Sequence, residues 1–455
     1  MLATLATALL IAVFEPPLHL VLDTNTSIWD VTVTDINSDG FKDVFAVCCD
    51  EMSHPLRKSV ACYLAASDAT YPPRPSFALD LDPSIGALFF AEIDGAPPHE
   101  LIAMNAAQAT VYRYGDGRFE EEKTCAFPSL IPTGSREPAF LEKAARDFDG
   151  DGIDEWLIPA SNGYEVRNID GLIAQVSCDV VSEIDSGTTV YITHRLPQYH
   201  LFDREGTNLK GIAFLSDEYA DFAYGPKWSE HSRFKIPLNL EEKWEAQTGM
   251  GDINKDGLPD LVVTQTKGTI NIQVLTQVYI AKAPFTYSDT PDITYETRGA
   301  VAMPALKDVD GDEDLDILFI SIPFGVKTIV NYFVRRKLAV RVDVYVFDGK
   351  AFPQDPSFET TMLLDAPEGR EQVAHTLGDF NGDGRLDIAF GAGAEKLSVL
   401  TGSEKRFVSS KPWQTVETPS FGDARAHDLN GDGRDDIVLF HPTGENRRRI
   451  EVILF

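Results

Sequence analysis

The chain has 455 residues, 43% of them apolar, which allows a large core and argues against disorder. Forty basic residues face 71 acidic ones, for a formal charge of −31. Such an excess argues against nucleic acid as the main partner, because phosphate binding needs a positive surface.

The N-terminus reads MLATLATALLIAVFEPP. Its apolar run, residues 2–14, is too short for a membrane span of about 20 residues and suits the core of a secretory signal. No Lys or Arg precedes the run and no small-x-small cleavage site follows it. Export is the expectation, with 1–16 as signal and 17–455 as the mature protein; a buried first strand is the alternative. No other stretch is apolar enough to cross a membrane. Next comes an orphan strand, LHLVLD, from Leu18 to Asp23. Five cysteines are too few for a disulfide scaffold and none has zinc-ligand spacing. Cys48 or Cys49 reaching Cys62 across a hairpin and buried free thiols are both open.

One nine-residue pattern then recurs down the chain. It reads DINSDGFKD at Asp35, DFDGDGIDE at Asp147, DINKDGLPD at Asp252, DVDGDEDLD at Asp308, DFNGDGRLD at Asp379 and DLNGDGRDD at Asp428. Two decayed copies, EIDGAPPHE at Glu92 and DREGTNLKG at Asp203, keep the spacing of about 56 residues. In all eight copies the residue after position 9 is apolar: Val44, Leu101, Trp156, Ile212, Leu261, Ile317, Ile388 and Ile437.

Around the seventh copy four strand signals appear: AHTLGD, DIAFG, KLSVLTG and WQTVETP. Four antiparallel strands per repeat in a ring describe an all-β fold, a β-propeller. Eight blades are expected, seven being the alternative. The last repeat ends at its third strand, RRIEVILF, so the orphan N-terminal strand is expected to complete the eighth blade and close the ring.

Carboxylate or amide oxygens at positions 1, 3, 5 and 9, a carbonyl at position 7 and Gly at position 6 form a set suited to Ca²⁺. The six intact loops supply Asp35, Asn37, Asp39, Phe41 and Asp43; Asp147, Asp149, Asp151, Ile153 and Glu155; and Asp252, Asn254, Asp256, Leu258 and Asp260. They continue with Asp308, Asp310, Asp312, Asp314 and Asp316; Asp379, Asn381, Asp383, Arg385 and Asp387; and Asp428, Asn430, Asp432, Arg434 and Asp436. An EF-hand is excluded, because position 12 is apolar and strands flank the loops. In the sixth loop Glu313 replaces the turn glycine, so strain is expected there. The decayed loops, with Ala96 at position 5 or Thr207 and Gly211 at positions 5 and 9, read as empty turns.

These loops, followed by DIAFGAGAE and DIVLF and with FGDARAHDLNGDG before the last, resemble FG-GAP/VCBS repeats, the family that includes the integrin α-subunit propeller. The resemblance covers nearly the whole chain after the signal. It implies a calcium-bearing propeller, usually of seven blades, with Asp379, Asn381, Asp383, Asp387 and their counterparts as ligands. Such propellers serve adhesion, lectin and polysaccharide-lyase roles, so the fold leaves function open.

No phosphate loop, nucleophile elbow or His-Glu-x-x-His pair occurs. The expected function is a secreted, periplasmic or cell-surface binding or adhesion module for a glycan or protein ligand, with an anionic one in view. The alternative is a polysaccharide lyase or other carbohydrate-active enzyme at the propeller mouth. Antiparallel geometry puts Arg136, Arg298, Arg370, His375, Arg425 and His427 on the face opposite the calcium loops. Convergence of His375, His427 and these arginines would favour the enzyme. The sixth repeat is long, and its excess, SIPFGVKTIVNYFVRRKLAVRV, carries Lys327, Arg335, Arg336, Lys337 and Arg341 with no acid. With Arg57, Lys58, Lys396, Arg447, Arg448 and Arg449 it is expected to form a basic crescent, or else a protruding hairpin with solvated charges.

Overall fold

The computed structural model describes residues 16–126, 128–186, 190–203, 210–216, 218–224, 228, 230–236, 244–268, 272–283, 286–298, 300–301, 304–323, 326–366, 372–393 and 395–455. The segment read as a secretory signal lies outside these, apart from Glu15's neighbour Pro16.

Eight sheets follow one another along the chain, each a blade. Blade 1 consists of Ser27–Thr34, Asp43–Asp50, Arg57–Tyr63 and Phe77–Leu81. Blade 2 has Ala87–Ala91, Glu100–Met104, Gln108–Gly115 and Arg118–Ala126, with Ala139–Phe140 added parallel to its first strand. Blade 3 has Ala145–Arg146, Glu155–Ala160, Gly163–Asn168 and Gly171–Ser177. Blade 4 has Gln198–Asp203, Lys210–Leu215, Tyr219–Tyr224 and Glu230–Lys235; blade 5 has Glu245–Gly251, Asp260–Lys267, Gln273–Tyr279 and Ile293–Arg298. Blade 6 splits its first strand into Ala300–Val301 and Ala305–Lys307, before Asp316–Ile322, Lys337–Tyr345 and Phe358–Asp365. Blade 7 has His375–Gly378, Asp387–Gly393, Lys396–Leu400 and Gln414–Val416. Blade 8 has Asp423–His427, Asp436–Phe440 and Arg449–Leu454, and its fourth strand is Leu18–Asp23. Eight blades, rather than seven, make the ring.

The closing strand runs antiparallel to the chain's last strand, from Leu18 opposite Leu454 to Asp23 opposite Arg449. Leu22 is fully buried and the Asp23 carbonyl accepts the Tyr63 hydroxyl at 2.8 Å. Blade 8 is thereby stitched to blade 1, which removes a free edge.

Second strands are largely buried, and mostly apolar after their first residue, because both of their edges and both of their faces are covered. Asp436–Phe440 and Glu100–Met104 are buried at every residue. Fourth strands have one free edge and alternate, as Phe77–Leu81 does. The core is distributed between blades. In the second strand of blade 1, Val44, Ala46 and Cys48 pack against blade 8, while Phe45 and Val47 pack against blade 2. The same alternation decides the cysteines. Cys48 and Cys62 lie on opposite faces, and Cys49 pairs with Lys58, four positions along the strand from Cys62's partner Phe45, or roughly 13 Å. All five thiols are free.

Besides the parallel strand Ala139–Phe140 and a short hairpin, Gly402–Ser403 with Arg406–Val408, two larger features depart from a plain four-strand repeat. A hairpin, Val181–Ser186 with Val190–Arg195, lies between blades 3 and 4. In blade 6 the long segment is neither a hairpin nor a loop: Val326–Arg335 is a helix. Val326, Ile329, Val330 and Phe333 fall at helical spacing and no turn residue interrupts them. Arg336, with φ of 53°, takes the left-handed conformation that ends it. No helix among the described residues is long and apolar enough to cross a membrane.

Candidate functional site

The six intact loops share one hydrogen-bonding frame. The position-1 carboxylate accepts the position-6 amide: Gly40 to Asp35 at 2.9 Å, Gly152 to Asp147 at 3.0 Å, Gly257 to Asp252 at 2.9 Å. The remaining three are Glu313 to Asp308 at 2.9 Å, Gly384 to Asp379 at 2.7 Å and Gly433 to Asp428 at 3.0 Å. The position-5 carboxylate accepts the position-7 amide, as in Phe41 to Asp39 and Arg385 to Asp383. Position 6 is left-handed in every loop, and Glu313 adopts φ of 73° without glycine's freedom, so the expected strain is present. The carboxylates thus face inward because amides hold their outer lone pairs.

Position 9 works differently from a simple surface ligand. Asp43, Asp260, Asp316, Asp387 and Asp436 are fully buried and Glu155 nearly so. One oxygen of each accepts the position-2 amide, for example Ile253 to Asp260 at 2.8 Å and Phe380 to Asp387 at 3.0 Å. In five loops the other oxygen takes an amide from the end of the blade's third strand: Ala65, Ala281, Phe347, Gly402 or Phe455. Burial pushes these acids up, Asp43 to about 6 and the other five to about 7, against the pull of those amides.

Neighbouring loops are also tied together. The position-8 amide donates to a carbonyl of the preceding loop: Lys42 to Leu429, Asp154 to Glu92, Leu315 to Ile253, Leu386 to Val309 and Asp435 to Asp379. In the sixth loop, oxygens of Asp308, Asp310 and Asp316 lie within 4.8 Å of one another, as do those of Asp147, Asp149 and Asp151 in the third. Asp310 Oδ1 is buried and has no hydrogen-bond partner. Clustered, partly orphaned carboxylate oxygens fit a hard divalent cation.

A second region is a cavity of about 830 Å³ at the ring's centre, lined by Phe140, Tyr164, Tyr199, Glu142, Arg425 and His427 among others. Arg425 sits in it already paired. Nη2 contacts Asp30 at 2.7 Å and Asp423 at 3.3 Å, Nη1 contacts Glu142 at 3.2 Å, and the guanidinium lies over Phe440. His427 is pushed down to about 4 by burial, with Lys42 and Arg425 adding to it. His375 is exposed, bonds the Val373 carbonyl just before its strand, and does not line the cavity. The histidine–arginine convergence expected of an enzyme is therefore limited to Arg425 and His427. Arg298 ends the outermost strand of blade 5, away from the axis, and Arg370 lies outside the described residues.

Four cations of the expected basic crescent are held in ion pairs. Lys337 meets Asp365, Arg341 meets Asp343 at 2.8 Å and Glu359 at 3.1 Å, Arg447 meets Glu51, and Arg449 meets Glu451 at 2.8 Å. Lys58 is buried against the Ile85 carbonyl. Arg335 and Arg336, like Arg57, Lys396 and Arg448, are exposed and meet no carboxylate among the described residues. Beside Arg335 and Arg336, Phe333 and Val334 are 72% and 75% exposed, an apolar tip that charge counting along the sequence misses.

A sequence family described as FG-GAP-like repeat matches residues 252–319 and 379–439, which hold the fifth to eighth loops. No curated protein matches the chain. Among solved structures, the V. cholerae biofilm matrix protein Bap1 is 11% identical over 94% of this chain and 88% of its own, with a TM-score of 0.43. BBS1N, solved in complex with ARL6DN, is 8% identical over 96% of this chain and 97% of its own, with a TM-score of 0.38. Residues 252–319 and 379–439 thus match FG-GAP-like repeats, carried on an eight-bladed β-propeller.

Proposed function

We propose that the protein is an exported, calcium-stabilised binding or adhesion propeller that engages an acidic protein partner through the helix tip of blade 6. The observation that carries this reading is the juxtaposition of exposed Phe333 and Val334 with exposed, carboxylate-free Arg335 and Arg336. Aromatic and arginine side chains are the usual anchors of protein interfaces, and a basic tip on a chain of net charge −31 selects an anionic partner. The helix occupies a connection between second and third strands, so it projects from the face opposite the calcium loops. Calcium, bound in the six loops, would neutralise the three or four carboxylates each gathers; the shared amide frame and the orphaned Asp310 oxygen support that assignment.

The lyase alternative draws on the central cavity. Three carboxylates already surround Arg425, which weakens its field toward a substrate carboxylate, so binding is the better supported reading.

The test is binding of a polyglutamate peptide and of a sulfated glycan at low salt. Arg335→Ala with Arg336→Ala, and Phe333→Ala with Val334→Ala, should each weaken peptide binding about tenfold, the arginine pair also flattening its salt dependence. Binding of the glycan alone would move the ligand class to acidic glycans. Unchanged binding by both variants, or no anionic ligand at all, would refute the site.

A further inference from the structure

The second loop, whose sequence lacks the position-5 acid, is not an empty turn. It keeps part of the amide frame, although positions 6 and 7 are Pro97 and Pro98, which have no amide to donate: Glu92 accepts the amides of Asp94 and Ala96 at 3.1 Å each, Asp94 accepts that of Ala96 at 3.0 Å, and Glu100 accepts that of Ile93 at 3.3 Å. Into this frame reaches Arg113, from the third strand of blade 2. Its Nη2 lies 2.9 Å from Asp94 Oδ2, its Nη1 2.6 Å from Glu100 Oε1, and its Nε 2.7 Å from Glu122 Oε2. Asp94 and Glu100 occupy positions 3 and 9. These are the positions held in the sixth loop by Asp310 and Asp316, whose oxygens cluster with that of Asp308.

Register shows that the arrangement is particular to blade 2. Arg113 follows Tyr112, which pairs with Leu101, the residue after position 9. The same place on the third strand is Leu64 in blade 1, Asn168 in blade 3 and Ile280 in blade 5. It is Val346 in blade 6, Thr401 in blade 7 and Leu454 in blade 8. None of the six loops with a complete ligand set has a charged residue there. Of the two loops that lost their position-5 acid, the second has this arginine, and the fourth, which lost its position-9 acid as well, has Tyr224.

We propose that the Arg113 guanidinium takes the place of the metal ion in blade 2, so that this loop is held in its turn at any calcium concentration while the six intact loops depend on the ion. A guanidinium is planar, permanently charged and carries five donors, so it can satisfy several carboxylates at once, as the ion does elsewhere. Glu100 is fully buried, and without a cation it would face Asp94 and Glu92 unneutralised. The inference rests on the calcium reading of the intact loops.

Hydrogen exchange of the full chain, followed by mass spectrometry with calcium and with chelator, tests it. In the wild type, peptides spanning 379–387 should exchange at least tenfold more slowly with calcium, while peptides spanning 92–100 should be equally protected in both conditions. Arg113→Gln should raise exchange at 92–100 at least tenfold in both conditions, and Arg113→Lys, a single point charge, should restore part of the protection. Calcium protection of 92–100 matching that of 379–387 would overturn the inference and leave the calcium reading intact. Unchanged protection in Arg113→Gln would also overturn it. Calcium protection at none of the loops would overturn the calcium reading and, with it, the equivalence of guanidinium and metal. The wild-type comparison stands even where a variant folds poorly.

Discussion

The position-9 acids show one side chain serving two structures at once. Asp436 ties the Leu429 amide inside its loop and the Phe455 amide at the end of blade 8. The spacing of the loop was legible in the sequence, since it is local; the second amide was not, because it comes from a strand about twenty residues on. A half-buried group outside the intact loops gives the clearest acid response. His200, on the first strand of blade 4, is pushed down to about 4, chiefly by burial and then by Lys143, and its Nε2 has no hydrogen-bond partner. Its folded pKa lies below its unfolded one, so the unfolded chain takes up the proton first as pH falls. Stability from this group is complete above about 6.5 and is lost as pH falls through 4, amounting to at most about 3 kcal/mol. His200→Leu should therefore lose less thermal stability than the wild type between pH 7 and pH 4.5. The loop acids, whose folded values are raised, shift metal-free stability the opposite way, so the difference between the two proteins isolates His200. Parallel melting-temperature curves for both would refute this role.

At the scale of elements, the strand Leu18–Asp23 matters more than its six residues suggest. It completes blade 8 and sends Leu22 into the cluster shared with blade 1, beside Ile28, Val438 and Ile450. Leu22→Ala should cost about 2–5 kcal/mol in urea unfolding, as for other fully buried leucines. Removing residues 18–23 should bare the edge of Arg449–Leu454 and cause aggregation, read by light scattering. A truncated chain that stays monomeric and equally stable would show that closure is dispensable. The helix Val326–Arg335 carries the opposite lesson. Its apolar spacing was present in the sequence, but a basic, acid-free insertion between two strands read equally well as a hairpin. Only its packing against Lys337–Tyr345 decides between them.

For the whole molecule, charge and metal belong together. Six divalent ions would bring the net charge from −31 to roughly −19, relieving repulsion within each loop. If the sites bind in the range of about 10⁻⁴–10⁻³ M typical of extracellular modules, 1 mM calcium contributes about 0.4–1.4 kcal/mol per site. Chelation should then lower the melting temperature by several degrees, with calcium restoring it. A melt unchanged in excess chelator would refute the calcium assignment.

The sequence by itself determined the eightfold repeat, the strand pattern, the position of the loops and the closing strand. Each rests on spacing within some ten residues, or on a count of strands that must close a ring. Tertiary structure decided which charges remain free. It paired Arg425, Lys337, Arg341 and Arg449 with carboxylates, placed His375 outside the cavity that His427 lines, and set Arg113 against Asp94 and Glu100. Coulombic attraction and hydrogen bonding act over a few ångströms, so a side chain's partner depends on which strands lie side by side. Its own neighbours in the chain do not reveal that.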